Sequence, residues 1–371
     1  MSNRLHILLL AAVSLLLAVA SAACSDILPE EPAPEATVYH AGFYLSVGQV
    51  DGYESGSRAP AGEYDPGTGY ENYIPLGDNR NMRVVLYDLN DNLLGEITDF
   101  VITPIGSYRS SKQYYLNGST DVDISSGQFK VLVLANWPSY PSELTLENIW
   151  KQQYQYNSAP LSPDNLIPLF GIKAVSIAGV KPGIAANLGT IHLLRAMAKI
   201  EVILSDPTDF WHLSTLQLTH YNDRGYCAPT GISNQNQYVT DSWATDYVGY
   251  TSIPSDAEVK DALDFIDCGD KHYVLYVPEY NNSRAGTPEA EIRLDFSESI
   301  LGERAIVVRD SNGRRLDFNR NVWYKITINK KAEQTDADIT VDVIPYAVVD
   351  LDPTFGVCTD ECRPYHPDQT K

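Results

Sequence analysis

Residues 37–50, TVYHAGFYLSVGQV, alternate with a period of two. Tyr39, Ala41, Phe43, Leu45 and Val47 fall on one face, and His40, Gly42, Ser46 and Gly48 fall largely on the other. This is the pattern of a half-buried β-strand. Strands are also predicted at 82–88 (MRVVLYD) and 93–102 (LLGEITDFVI), joined by the hairpin signal Asn90-Asp91-Asn92, and at 128–135 (QFKVLVLA). Residues 188–204 (LGTIHLLRAMAKIEVIL) are the longest apolar strand candidate, and the domain boundary is placed near them. The second half repeats the style, with strands predicted at 213–220, 272–278, 290–296, 304–309, 322–328 and 338–344. One stretch, 142–155, has helical spacing, with Leu144, Ile149 and Trp150 apolar and Ser142 as N-cap. Turn-bounded strands at short spacing predict an all-β protein, one β-sandwich per half, with one short helix inserted.

Between the first two strands, residues 51–70 (DGYESGSRAPAGEYDPGTGY) carry five Gly and two Pro, which predicts an exposed loop. Arg58 is its only basic residue. The N-terminus reads as a targeting segment. Arg4 begins it, residues 7–20 are apolar, and Ser21, Ala22 and Ala23 precede Cys24. This resembles a bacterial lipobox, which implies removal of residues 1–23 and lipidation of Cys24. The acidic, Pro-rich stretch 25–36 (SDILPEEPAPEA) then reads as an extended tether.

Composition narrows the function. The 371 residues include 27 Lys and Arg against 48 Asp and Glu, a net charge of −21. Such a chain repels phosphates and anionic membrane surfaces, so no nucleic-acid partner is expected. Tyr (24), Gly (24) and Pro (22) against Met (3) favour strands and turns over helices. The sequence contains no G-x-x-x-x-G-K-[ST], H-E-x-x-H or G-x-S-x-G motif, and its seven His are scattered. No enzymatic activity and no cofactor are therefore expected. Asp88 to Glu96 (DLNDNLLGE) is rich in oxygen ligands but fails the calcium-loop spacing and reads as a solvated hairpin turn.

Four cysteines follow Cys24: Cys227, Cys268, Cys358 and Cys362. They allow three pairings, of which Cys227–Cys268 with Cys358–Cys362 is favoured. Cys358, Cys362 and His366 offer three metal ligands but lack a fourth and the tighter knuckle of structural zinc, so no metal is expected. Trp137, Tyr140, Tyr154 and Tyr156 stack on sugar rings if exposed; filling sandwich faces is the favoured reading.

Several phrases in order resemble the fimbrillin family, the pilus subunits of Bacteroidales. They are Cys24, the Ser57-Arg58-Ala59 loop, 71–88 (ENYIPLGDNRNMRVVLYD), 127–136 (GQFKVLVLAN), 194–202 (LRAMAKIEV), 273–279 (YVLYVPE) and 323–328 (WYKITI). The resemblance implies two transthyretin-like, Greek-key β-sandwich domains, at 59–195 and 196–345. It implies export as an outer-membrane lipoprotein to the cell surface. A trypsin-like, Arg-specific protease then cuts between Arg58 and Ala59. Segment 24–58 leaves with the first strand, and a strand from another fimbrial subunit fills the opened groove.

A donor candidate lies in the tail, 346–371. After Pro345, the stretch YAVVDLDPTFG sets Ala347, Val349, Leu351 and Phe355 on one face. The alternative is that 346–356 closes the C-terminal sandwich or packs as an irregular tail. The two Cys beyond Phe355 leave tip and anchor roles open beside a stalk role. A surface glycan-binding lipoprotein is the alternative function.

Overall fold

The structure, a computed structural model, describes residues 37–47, 70–76, 81–108, 111–204, 213–229, 252–269, 271–296, 302–309, 313–330 and 337–345. The strands are β1 (Tyr39–Val47), β2 (Met82–Tyr87), β3 (Leu93–Tyr108), β4 (Ser111–Thr120), β5 (Gln128–Ala135), β6 (Gln153–Gln155), β7 (Leu169–Ser176), β8 (Ala185–His192), β9 (Leu194–Arg195) and β10 (Ala198–Leu204). They continue with β11 (Thr215–Leu218), β12 (Tyr221–Asn222), β13 (Arg224–Tyr226), β14 (Val259–Lys260), β15 (Leu263–Asp264) and β16 (Ile266–Asp267). The last are β17 (His272–Val277), β18 (Glu291–Phe296), β19 (Gly302–Val307), β20 (Val322–Lys330) and β21 (Ala337–Pro345). A single short helix, α1 (Leu146–Lys151), stands among them in the described residues.

The first sheet has the order β8-β1-β4-β3-β2-β5-β7-β9. β3 makes it fold over. Its first residues pair with β2, its later residues pair with β4, and the register shifts between Thr98 and Val101 and again between Pro104 and Gly106. Bulges bend a strand and add twist, and a proline inside a strand is tolerated at one. Phe43 and Leu45 of β1 therefore share one core with Val84 and Leu86 of β2 and Phe129 and Val131 of β5.

The chain leaves this sheet after β9 and enters a second one with β10. The order there is β16-β17-β10-β20-β21, and β15-β11-β18-β19 form a separate sheet. Ile200, Val202 and Ile326 meet Leu218, Ile292 and Leu294 in a second core. A third core covers the other face of β2 and β5. There Val85, Tyr87, Leu132 and Leu134 pack against Trp137, Ile149, Tyr154, Phe170 and Tyr276. β2 and β5 are thus buried on both faces, which is why their sequences are nearly unbroken apolar runs.

Three expectations are corrected. The helix predicted over 142–155 is α1 alone, Leu146–Lys151. Thr145 rather than Ser142 caps it, accepting the Asn148 N–H at 3.3 Å. Residues 153–155 instead extend as β6 to pair with β13 and bury Tyr154. The single strand predicted over 188–204 is three: β8 and β9, separated at Leu193, stand at opposite ends of the first sheet's order, and the chain changes sheets only at Ala196–Met197.

No disulfide joins Cys227 to Cys268. Cys227 follows β13, with its backbone N–H on the Gln152 carbonyl, whereas Cys268 follows β16, with its N–H on the His272 carbonyl. Each is held by its own ribbon, and burial pushes the Cys227 thiol pKa well up. Cys358 and Cys362 lie outside the described residues.

Candidate functional site

The chain from Val38 onward forms one compact unit, and β1 is the first strand in it. β1 is not an edge. It pairs antiparallel with β4, from Tyr39 opposite Thr120 to Val47 opposite Lys112. On its other side it pairs parallel with β8, from His40 opposite Ala185 to Ser46 opposite His192. Ala41, Phe43, Leu45 and Val47 have no solvent exposure, and Tyr39 has 5%. Period-two alternation sends these five side chains to the core side, where Phe43 lies opposite Leu116 and Leu45 opposite Tyr114.

Withdrawing β1 would leave two facing ladders of unpaired N–H and C=O groups on β4 and β8. Each buried unpaired group costs about 1–3 kcal/mol. The trough between the ladders would be apolar, and losing the burial of each large side chain costs about 1.5–3 kcal/mol. The place that β1 fills is therefore matched to an extended strand with alternate apolar residues.

The chain is pinned on the far side of the segment that holds Arg58. Tyr114 of β4 donates its hydroxyl proton to the Asn72 carbonyl and accepts the Ile74 N–H, both at 3.1 Å. Burial pushes its pKa up to about 12. The Glu71 carboxylate accepts from Lys199 Nζ at 2.8 Å and the Tyr276 hydroxyl at 3.1 Å. Asn72 Oδ1 accepts from Arg195 Nε at 2.9 Å and from Arg195 Nη2. Arg195 Nη1 also donates to Asn321 Oδ1 at 3.0 Å. Glu71, Arg195 and Lys199 are all at most 2% exposed. Charges this deep persist only when paired and hydrogen-bonded. They tie residues 71–74 to β4, β9, β10 and β17 through bonds that involve no residue of β1.

The four aromatic residues weighed as sugar platforms, with filling of sandwich faces as the favoured reading, are buried or half-buried. Trp137 is 3% exposed and donates its indole N–H to the Leu169 carbonyl at 2.9 Å. Tyr140 stacks on it with centroids 6.1 Å apart. Tyr154 is buried and donates to the Ala196 carbonyl at 3.0 Å, and half-buried Tyr156 donates to the Tyr276 carbonyl at 2.7 Å. All four belong to the third core or pack against it. Asp88 turns its carboxylate inward on its own hairpin, accepting the N–H groups of Asn90 and Asn92 at 2.8 and 2.9 Å. The Asn92 side-chain amide, donating to Asp88 Oδ2 at 2.7 Å, and after it these backbone bonds hold the Asp88 pKa below the usual carboxylate range.

Cys24, Arg58, Ala59, Ala347, Val349, Leu351 and Phe355 lie outside the described residues. β4 and the Glu71–Lys199–Arg195 cluster were not signalled by the sequence. Only a charged residue inside an apolar run, such as Arg195 or Lys199 in 188–204, hinted at them.

No family model matches the sequence. No curated protein matches it either. Its structural neighbours include fimbrial proteins of Bacteroidales. The tip fimbrial protein Mfa3 from Porphyromonas gingivalis, solved with a C-terminal truncation, superposes with a TM-score of 0.51 at 13% identity. The match covers 83% of this chain and 100% of that one, and it shows a shared fold. A fimbrial assembly protein from Parabacteroides distasonis gives 0.46 at 14% identity, over 83% of this chain and 100% of that one. A fimbrilin from Porphyromonas gingivalis gives 0.44 at 12%, over 83% and 99%.

Proposed function

We propose that this chain is a structural subunit of a cell-surface fimbria and polymerises by strand exchange. One observation carries the reading: the strand that begins the compact unit is an internal strand, hydrogen-bonded on both sides and buried on its core face. A strand in that place leaves a slot that only another strand can satisfy, which is the logic of β-augmentation. The shared fold with a tip fimbrial protein supports the same reading.

In this scheme the chain is exported as a lipoprotein held by Cys24 and folds as two transthyretin-like sandwiches, 59–195 and 196–345. An Arg-specific protease cuts between Arg58 and Ala59, and residues 24–58 depart with β1. The bonds of Glu71, Asn72 and Ile74 keep the new N-terminal stretch in place while β1 goes. A neighbouring subunit then lends its tail strand, with Ala347, Val349, Leu351 and Phe355 facing the core. Assembly serves adhesion. The burial of Trp137 and Tyr154 removes the basis for a sugar platform at those residues.

Trypsin treatment of the purified exported protein tests this directly. The expected result is a fragment ending at Arg58 together with higher oligomers, both lost in Arg58→Ala. Equal assembly of Arg58→Ala would remove the cleavage step from the scheme.

A further inference from the structure

Two features of the slot walls act on the sequence of whatever strand lies there. On the β4 side, the Tyr115 ring lies across Gly42. A Cβ added to Gly42 would overlap the Tyr115 hydroxyl and stand 3.1 Å from its Cζ. Gly42 has no positive φ, so what favours glycine here is space alone, and the atoms that take up that space are the outer end of the half-buried Tyr115 side chain. Tyr44, on the same face of β1, packs against Tyr115 with ring centroids 5.2 Å apart, so the cover over Gly42 is set by Tyr115 of β4 together with the residue two places on in the seated strand.

On the β8 side there is a bulge. Gly42 lies opposite Asn187 but Tyr44 lies opposite Thr190, so Phe43 faces two residues, Leu188 and Gly189. Gly189 has φ +74°, and its N–H is accepted by Asn187 Oδ1 at 2.9 Å. Lys173 of β7 donates Nζ to the Thr190 carbonyl at 3.0 Å and fills the space beside Gly189. Lys173 of β7 and the Asn187 side chain thus support the β8 side of this bulge in the β1–β8 pairing. Phe43, fully buried, is the side chain seated at its level.

We propose that the slot is register-selective. It admits a strand that sets a residue without a side chain under Tyr115 and a large apolar side chain next to it, at the bulge. This proposal rests on the strand-exchange reading and names the partner that reading requires. The partner is an extended segment of a second subunit carrying glycine on the outer face next to an inward aromatic or large aliphatic residue. A strand shifted by two residues keeps its apolar face inward yet puts a side chain under Tyr115, so Tyr115 penalises a slip that alternation alone would allow.

The test adds labelled peptides to the full chain after trypsin treatment and reads incorporation by native mass spectrometry. The peptides are residues 37–50 and the same peptide with Gly42→Val. The Val peptide is expected to enter about tenfold more weakly, the size of one coupled contact, and to recover on a Tyr115→Ala chain. Equal entry of both peptides overturns the register proposal and leaves strand exchange standing. Entry of neither overturns strand exchange, and the steric claim is then decided in the uncut chain. There Gly42→Val should lower Tm, and lower it less in the Tyr115→Ala background. An equal loss in both backgrounds overturns the claim.

Discussion

Phe43 and Leu116 face each other across the β1–β4 ladder, and neither has any solvent exposure. The first strand of the compact unit therefore contributes to the centre of the first core rather than to its rim. A removable element is usually sought at an edge. Here the strand is internal, so its loss would create a binding site instead of merely fraying the sheet.

Truncating Phe43 measures how much of that core depends on β1. Phe43→Ala should cost about 3–5 kcal/mol in urea unfolding, the range for a buried aromatic. A loss below about 1 kcal/mol would mean that β1 is not packed as described.

Tyr114 links the wall of the slot to the chain beyond the Arg58 segment, and its ionisation is a handle on that link. A tyrosine has an ordinary pKa of 10.0, and burial raises this one to about 12. The folded state therefore holds the proton more tightly than the unfolded chain. The stabilisation is fully present below pH 10 and is lost as pH rises from 10 toward about 12. Tyr114→Phe should lower stability by about 1–3 kcal/mol at neutral pH, since it strands the Ile74 N–H. It should also make the fall of stability above pH 10 shallower by one group, as read by urea midpoints at several pH values.

Asp223 provides the acid counterpart. Arg224, and after it the Glu258 backbone N–H, hold its carboxyl down at about 2 against an ordinary 3.8. Its contribution is present above pH 3.8 and is lost as pH falls toward about 2. Asp223→Asn should flatten the acid limb of a stability–pH curve over that interval. An unchanged limb would contradict the pairing.

Trp137→Ala distinguishes packing from recognition. Its indole is buried on β7, so the variant should lose about 3–5 kcal/mol of stability. A variant of wild-type stability that had lost binding to a glycan would contradict the packing described here.

Much of the fold was legible in residues with clean patterns. QFKVLVLA at 128–135 is β5 to the residue, and the strand predicted at 82–88 ends at Tyr87, one residue short. The Asn90-Asp91-Asn92 signal is a real hairpin turn, with Asp91 at φ +69°. β4 escaped notice because SKQYYLNGST has only Tyr114 and Leu116 as inward apolar residues, and its partners on both sides supply the rest of the burial. β7 escaped because Gly171 interrupts LFGIKAVS, yet a Cβ there would collide with Leu193. The run 188–204 hid its two breaks because the residues on either side of each are buried alike, at Leu193 within the first sheet and at Ala196–Met197 where the chain changes sheets. The slot itself was half legible. Alternation marked β1 as a core strand, but that both its edges are paired is a property of β4 and β8, far away in sequence.

The most direct test of the central claim is the N-terminal sequence of this protein recovered from fimbriae on the cell surface. The expected start is Ala59, with β1 gone and its slot filled by a neighbour's strand. Assembled protein that begins at a lipidated Cys24 and retains β1 would contradict it.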